Sequence, residues 1–115
     1  MADGDFISID QHRWAVKLLD GVTTTTTGPW VEIPAWYNIR SFWSSAFTGT
    51  DTVDIQISNS EANPTSAVAG PIARTLTAST LAASATEAYR WVRAIRNGNA
   101  VTTAVTLIVE CARNE

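Results

Sequence analysis

Alternation of apolar and polar positions is clearest late in the chain, from Ala88 to Glu110. Val101, Thr103, Val105, Leu107 and Val109 share one side of an extended run, with Thr102, Ala104, Thr106 and Glu110 opposite and Ile108 breaking the polar side. A period of two predicts a half-buried strand. The run before it groups Tyr89, Trp91 and Ile95, with Arg93 on the same side, against Arg90, Val92, Ala94 and Arg96. Asn97-Gly98-Asn99 joins the two runs, and residues of that kind accept positive φ, so the pattern predicts a hairpin. The aromatic side is expected to face inward, Trp91 opposite Leu107, and such a face needs a second sheet to cover it.

The rest of the chain reads the same way. Residues 1–10 hold three aspartates and little pattern beyond Phe6, Ile7 and Ile9, and are expected to form a loosely held arm ahead of a single domain over 11–115. Residues 11–20 suit a helix capped by Asp10 and Gly21, or a strand with Trp14, Val16 and Leu18 alternating with Arg13, Ala15 and Lys17. The β pattern downstream decides for a strand. Five threonines, Thr23 to Thr27, oppose helix through β-branching and predict a strand edge or extended loop. Pro29 and Pro34 confine Trp30–Ile33 to an edge or a very short strand. Ile39–Phe47 is a longer candidate, with Ser41, Trp43 and Ser45 on the side of Ile39 and Phe42 and Ala46 opposite.

Val53, Ile55 and Ile57 alternate with Asp54, Gln56 and Ser58 in the plainest half-buried strand. Residues 59–72 are rich in Ser, Ala, Asn and Pro and predict a long loop between sheets. Arg74–Ser79 predicts a strand with Leu76 inward, and Thr80–Glu87 a helical turn or a passage over the end of the fold. Short strands set apart by Gly, Pro and Asn predict an all-β antiparallel sandwich, jelly-roll-like because of its long sheet-crossing loop. Its edges are expected at Trp30–Pro34 and at the terminal strand.

Length and composition narrow this further. A chain of 115 residues, 45% hydrophobic and 17% charged, suits one globular domain. No run approaches the ~18 apolar residues of a membrane span. MADGDFISID has neither the basic start nor the apolar stretch of a signal peptide, so synthesis in the cytoplasm is expected. The net charge of −3 argues against a nucleic-acid partner. Seven of the eight basic residues are Arg, the type enriched at protein interfaces.

Chemistry is thinly represented. His12 has no visible nucleophile or orienting acid, so no catalytic residue is assigned. Cys111, the only cysteine, excludes an intrachain disulfide and is expected to be a buried small hydrophobe. Asp51, Asp54 and Glu61 lack calcium-loop spacing, and Gly49-Thr50-Asp51 lacks the Gly-Lys-Ser/Thr ending of a phosphate loop, so neither a metal nor a cofactor is expected. The compositional excess is five tryptophans. Trp43 and Trp91 are expected in the core. Trp30 and Trp36, beside prolines at expected edges of the pattern, are the surface candidates for stacking or anchoring. Arg90 and Arg96, on the expected outward face of their strand, are candidates for acidic contacts.

Several stretches resemble the small virion proteins of tailed bacteriophages. They are Val16-Lys17-Leu18-Leu19-Asp20-Gly21-Val22, the threonine run into Gly28-Pro29-Trp30-Val31-Glu32-Ile33, Phe47-Thr48-Gly49-Thr50 leading to Val53-Asp54-Ile55-Gln56-Ile57-Ser58-Asn59, and Tyr89-Arg90-Trp91-Val92-Arg93-Ala94. That group includes jelly-roll-like head decoration proteins, the cement or staple type. The resemblance implies a non-enzymatic protein on the outside of the capsid, bound to the major capsid protein as a homodimer and stabilising contacts between its subunits. The alternative is a carbohydrate- or receptor-binding module of a phage tail.

Overall fold

The computed structural model describes residues 6–10, 13–34, 37–47, 49–60, 70–85, 90–98 and 104–113. Among them are ten strands and no helix: β1 (Phe6–Asp10), β2 (Arg13–Val22), β3 (Thr26–Thr27), β4 (Val31–Glu32), β5 (Tyr37–Ser44), β6 (Thr52–Ser58), β7 (Ile72–Thr77), β8 (Ala82–Ser84), β9 (Trp91–Asn97) and β10 (Val105–Arg113). One sheet runs β1-β2-β10-β5-β8. The other runs β3-β9-β6-β7, with β4 also on β9. All pairings are antiparallel, so the chain is the all-β sandwich its pattern predicts.

The pairings are nested. β6 pairs with β7, β5 with β8, β3 and β4 with β9, and β2 with β10. The chain thus doubles back at its middle, and successive pairs of the doubled ribbon alternate between the two sheets. That is jelly-roll order, with β1 added at one edge. It also explains why the Asn97-Gly98 hairpin does not form. β9 and β10 lie in different sheets, so this turn is a corner between layers. Gly98, at φ 117°, still supplies the conformation that few other residues adopt. The terminal strand is likewise no edge, since β10 runs between β2 and β5.

The core lies between the sheets. Val53, Ile55 and Ile57 face inward as expected, as do Leu76 of β7 and Val105, Leu107, Val109 and Cys111 of β10. Cross-strand partners share a face, and β9 is paired Val53 to Arg96, Ile55 to Ala94 and Ile57 to Val92. Its inward side is therefore Val92, Ala94 and Arg96, opposite to the expectation. Trp91, Arg93 and Ile95 are half-buried on the outside. Ranking the two faces by side-chain size misread them, because β6 sets the phase of β9.

Bulges correct two further faces. On β2 the register against β10 skips one residue at Leu18, and Leu18 and Leu19 are both fully buried. Nearer the strand end a second shift accompanies Gly21, at φ 65°. On β5 an extra residue, Arg40, lies opposite the Glu110–Cys111 step. Ile39 faces inward before it and Phe42 after it, which turns Trp43 to the outside at 54% exposure. No alternation read through Arg40 would find that.

Smaller corrections follow from the same pairing. Residues 82–84, expected in a helical turn or passage, are the edge strand β8. Phe6–Asp10, within the expected arm, pair with β2 as an edge strand, while residues 1–5 lie outside the described set. Most of the loop expected over 59–72 also lies outside it, and the strands it joins, β6 and β7, are paired neighbours in one sheet, so it does not cross between sheets.

Candidate functional site

Among the described residues the interior holds one charged pair that packing alone would not supply. Arg96 is 0% exposed. Its Nη2 donates to Asp51 Oδ2 at 2.8 Å and its Nη1 to the Val22 carbonyl at 2.6 Å. Gly98 makes this arrangement possible, since a side chain there would collide with the Asp51 carboxylate. Thr25 closes the same corner: its hydroxyl accepts from the Gly98 amide at 3.3 Å and donates to the Gly98 carbonyl at 3.2 Å. The group ties β9, the end of β2 and the start of β6 together. It is a structural clasp, and Arg96, expected outward for acidic contacts, is not on the surface.

The outer face of the β3-β9-β6-β7 sheet is laced by side-chain hydrogen bonds. Gln56 Nε2 donates to the Gly70 carbonyl at 2.9 Å, which turns its Oε1 toward Arg93, whose Nε donates to it at 2.8 Å. The Arg93 guanidinium lies over the Trp30 ring, 4.5 Å from its centroid. Asp54 accepts from Thr75 Oγ1 at 2.7 Å and from Asn97 Nδ2 at 2.9 Å. Trp91 Nε1 donates to the Ser60 carbonyl at 2.9 Å. Arg90 Nε donates to Glu32 Oε2 at 2.9 Å, both side chains 47% exposed.

The outer face of the other sheet is built differently. The pairing aligns Lys17, Ile108, Trp43 and Ala82 in a row across β2, β10, β5 and β8. Trp43 Nε1 donates to Ser41 Oγ at 2.7 Å, so the polar atom of the ring is satisfied within the strand and its broad faces remain. Beside it lies a shallow open depression of about 180 Å³ lined by Ser41, Trp43, Ala82, Ala83 and Ser84. The small residues of β8 leave the indole standing above its surroundings.

Among the sequence candidates, then, Trp30 is half-buried beneath Arg93, Arg90 is exposed and ion-paired, Arg96 is interior, and Trp36 lies outside the described residues. His12 and Glu61 also lie outside them. Asp51 and Asp54 are held by separate partners, and no group of His, Cys, Asp and Glu among the described residues is placed to hold a metal ion. Burial, and secondarily the charge of Glu110, pushes the Cys111 thiol up to about 12, so the residue is the inert hydrophobe expected. Two surface features went unread: the exposed Trp43 and the stacking of Arg93 on Trp30. The second depended on the pairing of β9 with β6, which puts Arg93 outside. The first depended on a bulge.

The chain matches no protein family, no curated protein and no solved structure. Fold and surface define its class as a small antiparallel sandwich of jelly-roll order.

Proposed function

We propose that this protein is a non-enzymatic capsid decoration protein of a tailed bacteriophage. It is made in the host cytoplasm, binds the outer surface of the assembled head as a homodimer, and stabilises contacts between major capsid subunits. The observation that carries the reading is Trp43: a tryptophan 54% exposed, with its ring nitrogen already bonded, in a row of apolar and small residues near a sheet edge. Large aromatic side chains that become fully desolvated on contact dominate protein interfaces, and truncating one costs about 2 kcal/mol or more of binding. The sequence resemblance supplies the phage setting.

A dimer on a shell engages two neighbours at once, and the second contact gains from effective concentration. Free edges at β1, β7 and β8 are available for such pairing. Cosedimentation with intact heads and with unassembled capsid subunits tests this. Strong binding to heads, little to free subunits, and a loss of roughly 30-fold for Trp43→Ser are expected. Equal binding to both capsid forms would overturn it.

A second reading, a carbohydrate-binding module, is favoured by the depression beside Trp43, where Ser41 and Ser84 hydroxyls border a flat ring. In that case a glycan array gives a sugar-specific signal that Trp43→Ser abolishes, and heads are not bound.

A further inference from the structure

Apart from the capsid reading, the laced outer face holds an arginine, Arg93, that its neighbours orient. An arginine guanidinium is planar, with Nε on one side and two Nη nitrogens at its end. In Arg93 the Nε is committed to Gln56 Oε1, at 2.8 Å. Gln56 is itself fixed by its donation to the Gly70 carbonyl at 2.9 Å. Trp30 covers one face of the guanidinium at 4.5 Å. Position and plane are therefore set before any partner arrives, and the ordering entropy a surface arginine ordinarily loses on binding is largely paid in folding.

What remains is the Nη end, whose two parallel N–H groups match the two oxygens of a carboxylate. Among the described residues, the acidic groups of this face are engaged elsewhere. Glu32 pairs with Arg90 at 2.9 Å, and Asp54 is held by Thr75 and Asn97. None of the described ion pairs, Lys17–Asp20, Arg90–Glu32 and Arg96–Asp51, involves Arg93. An apolar neighbour completes the surface, since Ile72, 44% exposed, is the β7 partner of Gln56. The row Ile72, Gln56, Arg93, Trp30 thus joins one exposed aliphatic to one oriented cation.

We propose that Arg93 binds the carboxylate of an aspartate or glutamate on a partner protein, end-on through both Nη nitrogens, with Gln56 and Trp30 as positioning residues. Phosphate is a poorer match, because the second cation in reach of this face, Arg90, is neutralised by Glu32.

The test is an NMR titration of the full chain with a blocked tetraglutamate peptide, its tetraglutamine counterpart and inorganic phosphate, following the Arg93 side-chain N–H and Trp30 indole signals. Saturable shifts with the glutamate peptide alone are expected. Arg93→Lys keeps the charge but loses the fork, and should weaken binding roughly tenfold. Gln56→Glu offers Arg93 a carboxylate from its own strand pair and should abolish capture in a folded protein. Equal shifts from the glutamine peptide, tighter binding of phosphate, or unchanged affinity in either variant would overturn the assignment. A protein that passes this test yet fails to sediment with heads loses the capsid reading and keeps the receptor, and the reverse result removes the receptor alone.

Discussion

The two sheets place their polar and apolar groups in opposite ways. The β3-β9-β6-β7 sheet carries a buried cation inside and a network of cross-strand hydrogen bonds outside, from Asp54 with Thr75 and Asn97 to Gln56 with Arg93. The β1-β2-β10-β5-β8 sheet is apolar inside, with Leu18, Leu19, Phe42 and Leu107 all at or below 1% exposure, and it carries Trp43 outside. One sheet ties most of its outward polar side chains to one another and leaves Ile72 and the Nη end of Arg93 open; the other leaves a large ring for something else to cover. Hydrogen bonding on the first face orients groups more than it adds stability, since each exposed bond contributes little net free energy. The second face gives up about half of a Trp side chain of favourable burial, and that burial becomes available on contact with a partner.

The largest expected effect lies at the buried end of the first sheet. Arg96→Ala leaves the Asp51 carboxylate beside Gly98 without its cation and opens a cavity, and should cost about 3–5 kcal/mol in urea unfolding. Replacing both members, Arg96→Met with Asp51→Leu, removes the charges together and should recover most of that loss. If the single and double variants unfold alike, the clasp is not an interacting pair and the contrast between the sheet interiors fails.

This clasp marks the limit of what the residues alone reveal. The sandwich, the strand phase of Val53–Ile57, inward Leu76 and the buried Cys111 were all legible, because each depends on local alternation, whereas the jelly roll was inferred from a sheet-crossing loop that in fact joins the paired neighbours β6 and β7. The β9 face was not legible, because Val92-Arg93-Ala94-Ile95-Arg96 alternates equally well either way and only pairing with β6 chooses. Trp43 was hidden for a different reason: a one-residue bulge at Arg40 inverts every later side chain of β5. Asn97-Gly98 was wrongly read as a hairpin, since a glycine suited to positive φ specifies backbone conformation and not which sheet the chain enters next.

The interior of the second sheet is tested through Cys111. Its thiol is raised from 9.0 to about 12 in the folded protein. Below the unfolded value both states keep the proton, and pH has no effect through this group. Above it the unfolded chain ionises first, so stability falls as pH rises from 9.0 toward about 12. At about pH 10.5 the loss should be about 2 kcal/mol relative to neutral pH, and Cys111→Val should lack that component. Parallel urea midpoints for the two proteins across this range would place the thiol in contact with solvent and weaken the picture of a dry apolar layer.

The smallest effect on folding belongs to Trp43, and its smallness is the point. The ring is 54% exposed, and its Ser41 hydrogen bond lies on the surface. Trp43→Ser removes only the part of the ring that folding covers, so it should lower the unfolding free energy by about 1 kcal/mol, well short of a core truncation. Phe42→Ala, one residue away on the opposite face, deletes a side chain only 1% exposed and should cost about 3–5 kcal/mol. Neighbouring positions on one strand then differ several-fold in their contribution to folding, in the reverse of the order that ring size suggests. Urea denaturation of both variants decides it. A destabilisation by Trp43→Ser comparable to Phe42→Ala would mean the indole packs into the domain, and the apolar outer face would no longer need a partner to explain it.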